Sequence, residues 1–288
     1  MSDLAVTAED LPGVVGQRRG MGLTMVLCFV VVGLVAVMAV VGQWLTPQDP
    51  SAQNVSDALA SPSTHHLLGT DALGRDVLSR VVAGAGTAVV GPLVIAAGSF
   101  LIGNALGLLA GYRGGWTDTL ISRGVDLLMA LPGLLVVIVA VGALGGGYWL
   151  AVALLIALTV PLDTRVVRAA TLEQAPRPYV EAAWTLGVPP RRIMMRHIWP
   201  NVAPVALANT FLVFATSIVA LSGLSFLGLG VSPGTADWGL MLAEGTGQLF
   251  ANPVGVLAPA VMIVLTATCV NLIGDWLYER LSSRGSTR

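Results

Sequence analysis

Few side chains in this chain are of a type and spacing that could do chemistry. The 288 residues include three histidines and two cysteines. His65 and His66 are adjacent, and neighbours on a regular element point apart, so they chelate one metal ion poorly and read as loop residues. Cys28 and Cys269 each lie in an uncharged run, where a thiol behaves as a small hydrophobe rather than as half of a disulfide or a metal ligand. No nucleophile–base pair stands out, and no His/Asp/Glu group has metal spacing, so neither a catalytic nor a metal residue is assigned. Asp71, Arg75, Asp76 and Arg80 recur at four or five residues, which suits an ion-pair face on a helix better than catalysis. All fifteen Lys+Arg residues are arginine. That excludes a P-loop, whose lysine must reach the phosphates. A net charge of −1 and the absence of a basic tract give no reason to expect a nucleic-acid partner.

One polar stretch is built differently. Pro178 to Asn201 reads PYVEAAWTLGVPPRRIMMRHIWPN. Pro178 suits the first position of a helix, where its missing N–H would have no partner anyway. Tyr179, Ala182, Ala183 and Leu186 then make an apolar stripe over two turns. Gly187 falls where a helix takes a left-handed residue just past its end, and Pro189-Pro190 prevents continuation. A second short helix over 191–198 is expected to end before Pro200. Two short helices at an angle, with Arg191, Arg192 and Arg196 on the second, have the form of a docking element.

The elements that hold this stretch must be membrane spans. Hydrophobic residues make up 55% of the chain and charged residues 11%, with mean hydropathy +0.80. A soluble domain carries about 25% charged residues. The uncharged run from Met21 to Gly42 is longer than the roughly 7–15 apolar residues of a signal peptide and reads as a retained first span. Residues 43–85 form a polar extracytoplasmic segment, with a helix over 73–83 expected to lie at the membrane surface. A five-helix core over 86–277 follows. Its spans are expected at 86–110, from Trp116 onward, at 148–167, 201–223 and 254–277, and a loop over 168–200 carries the docking stretch. Residues 1–20 and 278–288 are tails. The class is all-α and polytopic, with about six transmembrane helices.

Arginine placement gives an orientation. With both termini in the cytoplasm, thirteen of the fifteen arginines lie inside and only Arg75 and Arg80 outside. The same choice puts the Glu181 loop in the cytoplasm. Asp118, Asp126, Asp163 and Asp275 then fall at cytoplasmic helix ends, leaving the middle of the membrane without charge. An ion-coupled secondary transporter usually keeps an ionisable residue there, so that alternative is weakened. A membrane scaffold without transport fits the helices but leaves the Glu181 loop unexplained.

Glu181-Ala182-Ala183, then Gly187, then Pro200, resembles the EAA signature in the cytoplasmic loop of the membrane subunits of binding-protein-dependent ABC importers. Trp199 and His197 stand where that family often has Leu and Ile. Leu68 to Arg80 (LGTDALGRDVLSR) and Ser225 to Met241 (SFLGLGVSPGTADWGLM) narrow the resemblance to the dipeptide/oligopeptide/nickel permeases. The resemblance implies a type I permease fold in a bacterial inner membrane. It implies four kinds of partner: a homologous second permease, two ATP-binding subunits, an extracytoplasmic solute-binding protein and the surrounding lipid. ATP and Mg would be bound by the ATPase subunits, with no cofactor on this non-catalytic chain. Tyr179, Glu181, Ala182, Ala183, Leu186, Gly187 and Arg191 would dock the ATPase. Gly228, Gly230 and Trp238, in the Gly-rich outer segment, are candidates for an outer gate, with Trp238 placed at the membrane interface. The cargo would be a peptide or a related small solute, and the sequence does not distinguish dipeptides, oligopeptides, nickel complexes and glutathione.

Overall fold

The computed structural model describes residues 22–145 and 147–285; the expected N-terminal tail, Gly146 and the last three residues lie outside the described residues. Ten α-helices organise the described chain: α1 (Leu23–Leu45), α2 (Val77–Arg113), α3 (Gly115–Met129), α4 (Gly133–Leu144), α5 (Tyr148–Gln174), α6 (Pro178–Thr185), α7 (Pro190–Ile193), α8 (Trp199–Phe226), α9 (Trp238–Gly245) and α10 (Pro253–Gly285). Among the described residues the only β pairing is an isolated bridge between Thr70 and Asp76. Five helices are long and apolar enough to cross a membrane, and α3 with α4, bent by 72°, makes a sixth if the pair is one span. Apolar side chains such as Leu34, Leu101, Val139 and Val264 remain exposed on the outside of the bundle, as lipid-facing residues must.

Three boundaries differ from the sequence expectation. Of the helix expected over 73–83 at the membrane surface, residues 73–76 are not helical and 77–83 are the first two turns of α2, which runs unbroken for 37 residues. Asp76 starts it, accepting from the Ser79 N–H at 2.8 Å and the Ser79 hydroxyl at 2.7 Å. No residue between them stops the helix, because Gly84 weakens it only slightly and leaves room for a neighbouring indole 3.1 Å from where a Cβ would stand. The third span is not one straight helix, because Leu131-Pro132 interrupts it. Pro200 does not end the second loop helix. A π-helical turn over Met194–Ile198 joins α7 to α8 in one continuous helix, and Pro200 is accommodated just after that turn. Asn201 Nδ2 donates to the His197 carbonyl at 2.7 Å, taking an acceptor left over by that change of register.

Close approach through small residues holds the spans together, as expected where no hydrophobic force drives helices together. A Cβ at Gly103, Gly107 or Gly111 of α2 would come within 2.4, 2.7 and 2.7 Å of Asp163, Val167 and Thr171 of α5. Each contact is offset by 60 in sequence, so α2 and α5 run parallel in one fixed register. Pro92 removes one rung from the α2 hydrogen-bond ladder, and next to it the Tyr148 hydroxyl enters the helix. It donates to the Thr87 carbonyl and accepts from the Gly91 N–H at 2.9 Å. The antiparallel α8 and α10 meet where Gly274 faces Phe211. α6 and α7 lie at one end of this bundle and α9 at the other.

Candidate functional site

At the α6 end, helix and turn follow the sequence expectation closely. Pro178 opens α6. Gly187 has φ +72°, its N–H donates to Trp184 O at 2.9 Å, and the Val188 N–H donates to Ala183 O at 3.1 Å. This is a Schellman cap, with Val188 packing back on the loop core beside Ala183. The apolar stripe, however, is divided. Ala183, expected in the docking set, is buried with Val180 against Leu108, Val167, Ile193, Ile198 and Val202. It anchors α6 to its own bundle, because its side chain points back at α7 and the π turn. Tyr179, Glu181, Ala182, Leu186, Gly187 and Arg191 are exposed. Trp184, missed in the sequence because it lies off the stripe, is 70% exposed beside Leu186 at 82%.

Tyr179 also fixes the base of the loop. Its hydroxyl donates to Gln174 Oε1 at 3.0 Å and accepts from Asn201 Nδ2 at 3.2 Å, joining the end of α5 to the start of α8. Burial pushes the Tyr179 phenol up, against the opposing effect of the Asn201 hydrogen bond, so the hydroxyl keeps the proton it donates. A cleft of about 650 Å³ opens beside α6, lined by Tyr112, Arg113, Val180, Glu181 and Trp184 among others. Glu181 makes no side-chain ion pair among the described residues, whereas Arg177 pairs with Glu173 at 3.0 Å. Nearby, Arg168 holds Asp118 with two nitrogens and Arg165 holds Asp126, fastening α3 to α5.

At the α9 end the candidate gate is built around a second Schellman cap. Gly228 has φ +75°, its N–H donates to Ser225 O and the Leu229 N–H donates to Leu224 O, both at 2.9 Å. Gly230, at φ +111°, lies beside the start of α5. Trp238 is not interfacial. It is 0% exposed and its Nε1 donates to Val81 O at 2.8 Å, because Gly84 and Gly239 let α9 press directly onto α2 and α8. The charges expected to form a helical face do form ion pairs, but with a partner the sequence did not suggest. Glu244 of α9 takes Arg75 at 2.7 Å and Arg80 at 2.8 Å on one oxygen, while Asp71 takes Arg75 at 2.6 Å. Asp76 instead caps α2 and contacts His66 Nδ1 at 3.1 Å, so His66 is a half-buried bracing residue rather than a solvated one.

Asp163 also departs from expectation. It lies eleven residues before the end of α5 (174 − 163), is 3% exposed, and accepts from Ser99 of α2 and Asn209 of α8. The middle of the bundle therefore does hold a carboxyl group, and the argument from an uncharged interior does not stand. What decides the class is the similarity to known proteins. Residues 103–285 match the family described as "Binding-protein-dependent transport system inner membrane component". The chain belongs to that family: it is a permease subunit of an ABC importer and a multi-pass inner-membrane protein. It is similar to the glutathione transport system permease protein GsiD of Escherichia coli O6:K15:H31 (strain 536 / UPEC), at 36% identity over 93% of this chain and 88% of that one. The GsiD protein of Shigella boydii serotype 4 (strain Sb227) matches at the same identity and coverage. In fold it resembles a chain of the MetNI methionine ABC transporter in an inward-facing conformation. The TM-score is 0.58 at 19% identity, covering 71% of this chain and 97% of that one.

Proposed function

We propose that this chain moves di- or oligopeptides, or related small solutes, across the membrane. In this reading it forms the path with a second, homologous permease and takes its power stroke from two ATP-binding subunits. The observation that carries the proposal is α6. Trp184 and Leu186 are left in solvent, with Tyr179 partly exposed, around a Glu181 that has no ion pair among the described residues, on a helix whose opposite face is anchored to the spans. A large aromatic and a leucine exposed together mark a surface that a partner covers. ATP and Mg belong on that partner, since this chain has no lysine for a P-loop. The arginine asymmetry supports an α6 end in the cytoplasm with both termini, and an α9 end facing an extracytoplasmic solute-binding protein. There the Gly228–Gly230 turn and α9 with Trp238 serve as the outer gate. The similarity to permeases named for glutathione transport supports a small peptide as cargo.

The test is capture of the ATP-binding subunits by variants that leave the spans untouched. Trp184→Ala with Leu186→Ala is expected to lose ATPase co-purification by a factor of ten or more, since a central aromatic contributes about 2 kcal/mol or more to such an interface. Glu181→Lys is expected to act in the same direction. Wild-type capture by both variants would remove α6 from the docking surface.

A further inference from the structure

Asp163 is a buried carboxyl group with no basic partner among the described residues, inside a span where such a group is costly. Its two neighbours come from two other spans. The Ser99 hydroxyl of α2 donates to Oδ2, and Asn209 Nδ2 of α8 donates to Oδ1. The position matters because of what lies below it. Asp163 is eleven residues from the end of α5, and Asn209 is ten residues from the start of α8 (209 − 199). At about 1.5 Å per residue, both stand roughly 15–17 Å above the loop that carries α6. α2 and α5 are already interlocked by the Gly103, Gly107 and Gly111 contacts, with Gly103 against Asp163 itself. α8 runs antiparallel and has no such ladder on α5. At this level its polar attachment is Asn209 to Asp163.

From this geometry we infer that Asp163 is a positioning residue, a three-way tie that makes α2, α5 and α8 move as one body when the α6 loop is displaced. The inference rests on the docking reading proposed above. Helices in lipid are not held in register by a hydrophobic force, so a polar tie between them decides whether they slide. Without it, displacement of the loop would be absorbed as sliding of α8 against α5, and the α9 end would not receive it.

The experiment uses the assembled complex in liposomes, with Cys28 and Cys269 replaced and spin labels at Trp149 of α5 and Val219 of α8, both exposed near the α9 end. In the otherwise wild-type chain one narrow inter-label distance is expected, unchanged between nucleotide-free and ATP–vanadate-trapped states. Asp163→Leu should broaden or split that distance and make it differ between states. Asp163→Asn should restore it, because the amide oxygen still accepts from Asn209 and the amide nitrogen can donate to Ser99 Oγ. Asn209→Ala, which removes one arm of the tie at a half-buried site and leaves Asp163 in place, should reproduce the leucine effect even if Asp163→Leu fails to fold. A narrow, state-independent distance in both Asp163→Leu and Asn209→Ala overturns the tie, as does a wild-type distance that already changes with nucleotide. An asparagine variant as perturbed as leucine also overturns it, since charge rather than the tie would then be at work. Failure of the docking reading looks different: Trp184→Ala with Leu186→Ala then captures the ATP-binding subunits as the wild type does, while the distances in the Asp163 and Asn209 variants judge the tie separately.

Discussion

α6 and α9 are both short helices of eight residues, lying at opposite ends of the bundle near a glycine in a Schellman cap. Their surroundings are opposite. The tryptophan of α9 is fully buried and hydrogen-bonded to α2, and its acidic residue, Glu244, holds two arginines. The tryptophan of α6 stands in solvent, and its acidic residue, Glu181, is unpaired among the described residues. One helix has been completed by its own chain and the other has not. The comparison separates a helix packed by its own chain from one with an uncovered face. α9 can act only by leaving contacts it already makes, whereas α6 can act by gaining contacts it lacks.

The sharpest way to break that contrast is to remove each indole in turn. Trp238→Ala deletes a fully buried side chain together with its hydrogen bond to Val81 O, so a loss of about 3–5 kcal/mol is expected. Thermal unfolding in detergent should register this as a large fall in midpoint. Trp184→Ala in the same assay should stay within about 0.5 kcal/mol, as for an exposed surface change. Equal falls for the two would mean that α6 is a structural helix of its own bundle. Next in size is Glu244→Gln. It leaves Arg75 and Arg80, which are 3% and 1% exposed, to share Asp71, at 2.6 and 3.5 Å, beside a neutral amide. Breaking a buried pair costs about 3–5 kcal/mol, and the 28% exposure of the Glu244 side chain lowers the expectation to about 2. Raised salt should reduce the difference between variant and wild type; no difference at any salt would mean that the Glu244 ion pairs do not hold α9 in place.

Much of this arrangement was legible in the sequence, for reasons that can be named. Apolar run length reports spans, and a glycine after a two-turn apolar stripe reports a cap, because both are local properties of the chain. Gly187 and the opening of α6 at Pro178 were read in this way. What was not legible depended on distant residues. Glu244 lies 164 positions from Arg80 (244 − 80), and nothing local pairs them. Trp238 looks interfacial by type, and only the space left by Gly84 and Gly239 draws it inside. Asp163 could not be placed from hydropathy, because a single carboxyl beside Arg165 and Arg168 reads as the end of a span. Its partners, Ser99 and Asn209, come from helices whose register the sequence does not state. The π turn at 194–198 hid for the opposite reason: Pro200 is a local stop signal, and a change in hydrogen-bond register overrides it.

The smallest expected effect compares the two caps directly. Gly187 and Gly228 have nearly the same φ, +72° and +75°, and a Cβ on either would meet nothing within 4 Å. Steric crowding is therefore removed as a variable, and Gly→Ala at each measures only the cost of a left-handed backbone with a side chain, about 1 kcal/mol. In thermal unfolding Gly187→Ala and Gly228→Ala should be nearly equal and small. Their functional consequences should then diverge. In the proposed docking reading the first turn aims α6 at the ATP-binding subunit, so a strained Gly187→Ala should weaken ATPase capture. The second lies at the α9 end, away from α6, in the segment proposed as the outer gate, so Gly228→Ala should leave capture unchanged and alter transport instead. If both variants impair capture equally, the strain is felt through the whole bundle, and the division between a completed end and an open one is not a division the molecule uses.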